Sequence, residues 1–191
     1  MPSANITKKV IADGIKHLMQ TIPFDRITTA DIIAESGISR KTFYYHFRDK
    51  YDVVNSIFTS EILDSILEST SFENWLEGSY KFCHYIKENQ VFYTNAVNAS
   101  GQNCFIKFLR KLTEKQVYKL CNDAIDRQVL SKDDYDFLVE FYYHAFIGVF
   151  TLWVRQDMKE TPERIVDRWA GVTNKSLENY ILSRRKRPET G

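Results

Sequence analysis

The sequence predicts an all-α fold, and three observations carry that expectation. Only 7 Gly and 4 Pro stand among 191 residues, too few for a chain of many hairpins. Apolar residues recur at spacings of three and four along most of the chain, the period of one helix face. No stretch alternates apolar and polar residues as a half-buried strand would.

The elements follow in chain order. Ile11, Ile15, Leu18 and Ile22 line one face of a helix over about residues 5–21, which Pro23 ends. Thr28 with Asp31 forms a capping box, and Gly37 suits the residue just past a helix end, so a two-turn helix lies between them. Ser39 then caps a second short helix. Ile38 and Phe43 occupy the two positions of a hydrophobic staple around it. Helix, tight glycine turn and helix together make a helix-turn-helix. A longer helix spans 48–67, with Val53, Val54, Ile57, Phe58, Ile62 and Ile66 on its apolar stripe. Ser71 is a candidate cap for a helix over about 72–88, followed by a short one over 90–98 and a long one over 103–127. Ser131 with Asp134 opens a helix reaching about Gln156. Thr161-Pro162-Glu163 opens the last, ending near Leu182.

Three units follow: residues 1–50 as a helix-turn-helix domain, 51–183 as a larger helical regulatory and dimerisation domain, and 184–191 as a basic tail. The overall charge of +1 hides an asymmetry. Residues 1–50 carry eight Lys/Arg against five Asp/Glu, residues 51–183 carry 14 against 19, and "RRKRPETG" carries four against one. The N-terminal third is therefore basic relative to the body. Cys83, Cys104 and Cys121 are far apart and odd in number, which suits a reducing, cytoplasmic setting. No signal peptide opens the chain. The apolar run "FYYHAFIGVFTLWV" is too short for a bilayer span, so no membrane partner is expected.

"SRKTFYYHF", residues 39–47, is both basic and aromatic. At about 100° per residue, Phe43 and Phe47 share one side, while Lys41, Thr42 and Tyr45 point roughly opposite. Tyr44 and His46 flank them. The phenylalanines anchor the helix; the rest is presented outward. A helix surface of cations and hydroxyls suits the acceptor-lined DNA major groove, and the N-terminal part of the second helix is the part that meets bases. Ser39, Arg40, Lys41 and Thr42 sit there. Tyrosine and N-cap hydroxyls reach phosphates.

The stretch "ITTADIIAESGISRKTFYYHFRDKYDVV", residues 27–54, resembles the DNA-binding signature of the TetR family of bacterial transcriptional regulators. Ser36-Gly37-Ile38-Ser39 matches the family's turn, Phe43-Tyr44-Tyr45-His46-Phe47 its recognition helix, and Lys50 the lysine that follows. The resemblance implies a phosphate contact from Thr28 or its neighbour Thr29. It implies base contacts from Arg40, Lys41 and Tyr45, and phosphate contacts from Tyr44, His46 and Lys50. Many members carry a small residue where Lys41 stands, so Lys41 is expected to affect operator choice. His46 as a brace for the turn, and Lys50 as a solvated helix-start cation, are the alternatives. Within the family the aromatic C-terminal half is similar to a Firmicutes-type subgroup that includes an activator of dihydroxyacetone kinase operons. In that subgroup a partner protein resembling a kinase subunit carries the small-molecule signal.

The helix over 131–156 is apolar on nearly all sides, more than a chain of this size can bury alone, so a second copy is expected to cover it. Phe146, Val149, Phe150 and Trp153 from this helix, with Trp169, Val172 and Leu177 from the last, are the candidate dimer interface; the family likewise pairs two helices from each subunit. Two-fold symmetry then implies a roughly palindromic double-stranded operator. Tyr80, His84, Phe92, Phe105, Phe108, Tyr118, Tyr142 and His144 are candidates for an effector pocket, and ordinary core packing is the competing account of each. The effector is an unknown small molecule or protein. Cys83, His84, Cys121 and His144 follow no zinc spacing, so neither metal nor other cofactor is expected. The chain has no phosphate-binding glycine loop, no G-x-S-x-G, no H-E-x-x-H and no dinucleotide fingerprint, which argues against an enzyme. The competing function is a helical protein-interaction module whose C-terminal half docks a partner.

Overall fold

The computed structural model describes residues 4–67, 74–101, 104–124 and 130–185. All regular structure among them is helical. The order is α1 (Ala4–Leu18), a short 3-10 turn (Phe24–Arg26), α2 (Thr29–Ser36), α3 (Arg40–His46) and α4 (Lys50–Phe58). Next come α5 (Trp75–Glu88), α6 (Gln90–Asn98), α7 (Phe105–Ala124), α8 (Lys132–Arg155) and α9 (Pro162–Arg185). Ser71 as a cap, the side chains of Leu177 and Cys121, and the tail beyond Arg185 lie outside the described residues.

The local signals act as their chemistry demands. Asp31 N–H donates to Thr28 Oγ1 at 3.2 Å and Thr28 N–H donates to Asp31 Oδ2 at 2.8 Å, closing the capping box of α2. Gly37 takes φ 62°, ψ 29°, where a β-carbon would be strained. From there Gly37 N–H reaches Ala34 O at 3.2 Å and Ile38 N–H reaches Ile33 O at 3.3 Å, a Schellman ending. Ser39 Oγ accepts from Thr42 N–H at 3.0 Å, and Ser131 Oγ does the same for Asp134 N–H at 3.1 Å.

Helix α4 leaves the head and runs into the body. It continues without a break into a wider, π-type stretch over Thr59–Leu67. Thr59 Oγ1 donates to Asn55 O at 2.9 Å, and Ser60 Oγ to Ser56 O at 3.0 Å. Adjacent hydroxyls competing for the backbone carbonyls loosen the α-ladder, which eases the widening. Periodicity alone gave the extent of this helix and not its change of pitch.

One contiguous core joins head and body, from Ile11 and Ile15 through Phe58 to Trp153 and Val166. Phe58 sits at its centre, with the rings of Phe105 at 5.2 Å, Phe108 at 6.1 Å, and Phe82 and Tyr93 at 6.3 Å. A smaller cluster of Leu130, Tyr135, Leu138, Val139 and Tyr142 closes the far end of α8. By length and composition α8 as a whole is long and apolar enough to cross a membrane, a test that the core helix of a soluble protein also meets. Its inner face is packed on the main core through Ile147, Phe150, Trp153 and Val154 and on the distal cluster through Leu138.

Candidate nucleic-acid interface

Helix α3 is held by its apolar side. Phe43 is fully buried and Phe47 nearly so, with ring centroids 6.1 Å apart. Ile38 packs against the same core, completing the staple. The opposite side is open: Tyr45 is 82% exposed and Tyr44 48%, and Ser39, Arg40 and Lys41 are exposed, with Thr42 half-buried. The Arg40 guanidinium lies 5.4 Å from the Tyr44 ring centroid, a cation–π pair that holds the arginine beside the tyrosine. Lys41 projects without such a tether, and the Tyr45 ring meets only the edge of His46. His46 is half-buried between Tyr45 and Phe47, its ring 4.9 Å from the first and 6.4 Å from the second.

At the start of α2 the two threonines separate. Thr28 spends its hydroxyl proton on Asp31 Oδ2 at 2.7 Å. Thr29 and the first free N–H groups of α2 are left to meet an anion. The Thr28 hydrogen bonds hold the Asp31 carboxyl below its usual value of 3.8. A lowered folded-state pKa means the capping box contributes fully at neutral pH and is lost on acidification below that value.

The Lys50 ammonium is engaged within the fold. Its ammonium donates to Phe24 O at 2.8 Å, Asp25 O at 3.2 Å and Ile27 O at 2.7 Å. An ammonium has three protons, and all three are used. It also lies 4.6 Å from the Phe24 ring centroid. Partial burial pushes the Lys50 pKa down, while Asp25 and Asp31 pull it back up. Lys50 therefore ties α4 to the 3-10 turn that precedes α2, a turn that short-range sequence signals did not reveal.

Other polar links join the head to the body. Asn95 of α6 accepts from Phe24 N–H at 3.3 Å and donates to Met19 O at 3.1 Å. Asp25 accepts from Ser100 N–H and Oγ at 3.3 and 3.2 Å, and Tyr51 OH donates to Ser100 O at 2.8 Å. Lys16 of α1 bonds both oxygens of Glu61 at 2.8 and 2.7 Å, and Tyr85 OH donates to the same carboxylate. None of these residues stood out in the sequence, because each pairs with a partner far along the chain.

The eight candidate effector residues do not converge on one site. Phe92, Phe105 and Phe108 belong to the main core around Phe58. Tyr80 bonds Asp167, and His84 pairs with Glu163 at 2.7 Å, both at the partly exposed α5–α9 seam. Tyr118 and Tyr142 sit at the distal cluster, and His144 faces outward. A cavity beside Cys83, Phe146 and Trp169 holds only about 30 Å³, room for a water and no more. Burial pushes the Cys83 thiol up to about 12, which makes it inert.

The candidate dimer residues divide between the protomer's core and its surface. Phe150 and Trp153 are in the protomer's own core at 4% exposure, and Phe146 packs against it. The Trp169 ring lies tilted against Phe146 and edge-on to Trp75, both at 5.2 Å. Of the set, Val149 and Val172 are exposed. The open apolar stripe of α8 instead runs through Phe137, Phe141, Gly148 and Leu152, with Val172 of α9 beside it. Their spacing of four, seven and four was a readable signal, masked because α8 is apolar on its other side too.

Comparison with known proteins agrees with this arrangement. Residues 11–57 match the model for bacterial regulatory proteins of the tetR family, and residues 73–175 match a transcriptional regulator C-terminal region of the same group. The HTH-type dhaKLM operon transcriptional activator DhaS of Lactococcus lactis subsp. lactis is 27% identical over 120 residues. That match covers 62% of this chain and 64% of the relative, so the chain spans just under two thirds of its length. Among solved structures, a dihydroxyacetone kinase operon activator DhaS superposes with a TM-score of 0.70 at 21% identity. That match covers 92% of this chain and 98% of the other, a likeness of fold.

Proposed function

Because the chain belongs to the TetR family of bacterial regulatory proteins, we propose that it binds a roughly palindromic operator as a homodimer, under the control of an effector acting on its C-terminal domain. The observation that carries this is α3, pinned by Phe43 and Phe47 and offering Lys41 and Tyr45 outward. In this reading Arg40, Lys41 and Tyr45 meet base edges. Ser39, Thr42, Tyr44 and the N-terminus of α2 at Thr29 hold the phosphates. Selection of bound sequences from random DNA tests it: the recovered sites should share one two-fold symmetric motif. Lys41→Ala is expected to weaken binding to that motif by about 1–3 kcal/mol and to relax preference at one base pair per half-site. Unchanged affinity and unchanged preference in a gel-shift titration would remove Lys41 from the readers.

The dimer reading rests on α8. Phe137, Phe141 and Leu152 are each more than half exposed, and Val172 is 68% exposed. Helix α8 is acidic at its start, through Asp133 and Asp134, and basic at its end, through Arg155. Antiparallel pairing about a two-fold axis brings each acidic end to a basic one. Gly148, with open space where a β-carbon would stand, lets the two helices approach closely at the stripe. Phe141→Asp is expected to give a species sedimenting near the 22.5 kDa monomer mass. Affinity for a full palindrome should fall about 100-fold or more as the second head is lost. A variant that stays dimeric would move the interface elsewhere.

The effector is a small molecule or a partner protein. The 27% identical relative is an operon activator by name, which supports activation as the output. A reporter under the recovered operator, with and without the chain, reads the sign directly.

A further inference from the structure

A cleft of about 330 Å³ opens between the first turns of α4 and α7. Arg48, Lys107 and Lys111 stand around it, Phe108 forms an apolar wall, and Asn55 lies at its side. The basic character is local. Residues 105–119 carry five cations and one acid, whereas the rest of 51–183 carries nine and 18. Lys107 and Lys111 are both exposed and take part in none of the ion pairs of the described residues. Two carboxylates share the rim, and Asp52 also pairs with the Arg48 guanidinium at 3.7 Å. Asp49 Oδ1 accepts from Asp52 N–H at 2.8 Å, and Asp52 Oδ2 accepts from Arg48 N–H at 3.0 Å. Asn55 Oδ1 is buried and has no hydrogen-bond partner.

We infer that this cleft binds a small organic anion of the phosphate-ester type. Lys107 and Lys111, one helical turn apart and free of any ion pair among the described residues, supply the positive charge that a phosphate head would meet, while Arg48 is shared with Asp52 at 3.7 Å. The size excludes a macromolecule from the floor of the cleft and admits a molecule of sugar-phosphate dimensions. Bound there, the ligand bridges α4, which carries the head, to α7 of the body. As an effector site this rests on the regulator reading above; as an anion site it stands alone.

The test uses the full chain, with inorganic phosphate and glucose 6-phosphate as probes. Glucose and sodium chloride at matched ionic strength are the controls. Thermal unfolding is followed at about 10 mM probe, where a rise of about 3 °C is expected for a phosphate probe and none for the controls. Lys107→Ala/Lys111→Ala should lose the rise while melting within about 1 °C of the parent without ligand. Lys115→Ala, one turn further along, should keep it. An equal rise with chloride, an equal rise in the double variant, or no rise with either phosphate probe overturns the site. So does a double variant whose DNA affinity falls with a shallower salt dependence, since the lysines then serve the DNA backbone. DNA selection run in parallel separates the two readings. A chain that recovers an operator but ignores phosphate keeps the regulator reading and loses this one. A chain that responds to phosphate but selects no DNA does the reverse.

Discussion

Phe43→Ala is expected to lower the melting temperature by about 10 °C and to abolish operator binding near the new transition. Phe43 is fully buried and packs edge-on to Tyr44 at 5.4 Å and beside Phe47 at 6.1 Å. It is also the inner half of the staple that sets the angle at which α3 leaves the turn. Truncating a core phenylalanine removes about 3–5 kcal/mol, because the lost burial and the remaining cavity act together. That is a large part of the 5–15 kcal/mol typical of a domain. In a chain of this size each kcal/mol moves the midpoint by about 2–4 °C. Circular dichroism melting checks the stability, and a gel shift at low temperature checks the binding. A fall under about 3 °C would mean that α3 is held from elsewhere. Phe47→Leu, which keeps most of the volume, should shift the midpoint far less.

Lys50→Met should be nearly as damaging, and it separates two accounts of one residue. If Lys50 served a phosphate, its loss would leave folding intact and reduce the salt slope of DNA binding by about one. The three carbonyl acceptors at 2.7–3.2 Å say otherwise. Methionine fills the stem and leaves Phe24 O, Asp25 O and Ile27 O without their donor. A hydrogen bond to a charged group contributes about 1.5–3 kcal/mol, and part of the loss is recovered by water at this half-open position. We expect a loss of about 2–4 kcal/mol in urea unfolding, with DNA affinity falling for every sequence because α2 and α3 lose their common support. A stable variant with a reduced salt slope would restore the phosphate role.

What could be read from the sequence was short in range. The Thr28–Asp31 box, the Gly37 ending, the Ile38–Phe43 staple and the Ser131 cap each depend on residues within five positions of one another. A linear pattern holds all the information such motifs need. The outward side of α3 followed from the same logic once Phe43 and Phe47 were identified as anchors. Links between distant elements were not readable. Lys50 meets carbonyls 23 to 26 positions away, and a backbone oxygen leaves no trace in residue identity. Helix α8 failed for another reason. Apolar residues cover nearly its whole circumference, so periodicity could not say which face the protomer keeps and which it leaves open. The aromatic residues proposed for an effector pocket do not gather at one place, because core rings and pocket rings are chemically alike and only their placement separates them.

The polar seam between head and body limits how freely the two can be exchanged. Asn95 holds both the Met19 carbonyl and the Phe24 amide, Ser100 holds Asp25 and Tyr51, and Glu61 holds Lys16. A chimera that grafts a foreign reading head at residue 50 would leave Asn95 and Glu61 facing the wrong groups. The hybrid could still fold each half, yet the halves would move independently. Recombination that preserves regulation must carry α6 and the Ser100 turn along with the head. The transferable unit is then an assembly of segments distant in the chain, and a cassette cut at the end of α3 would be too short.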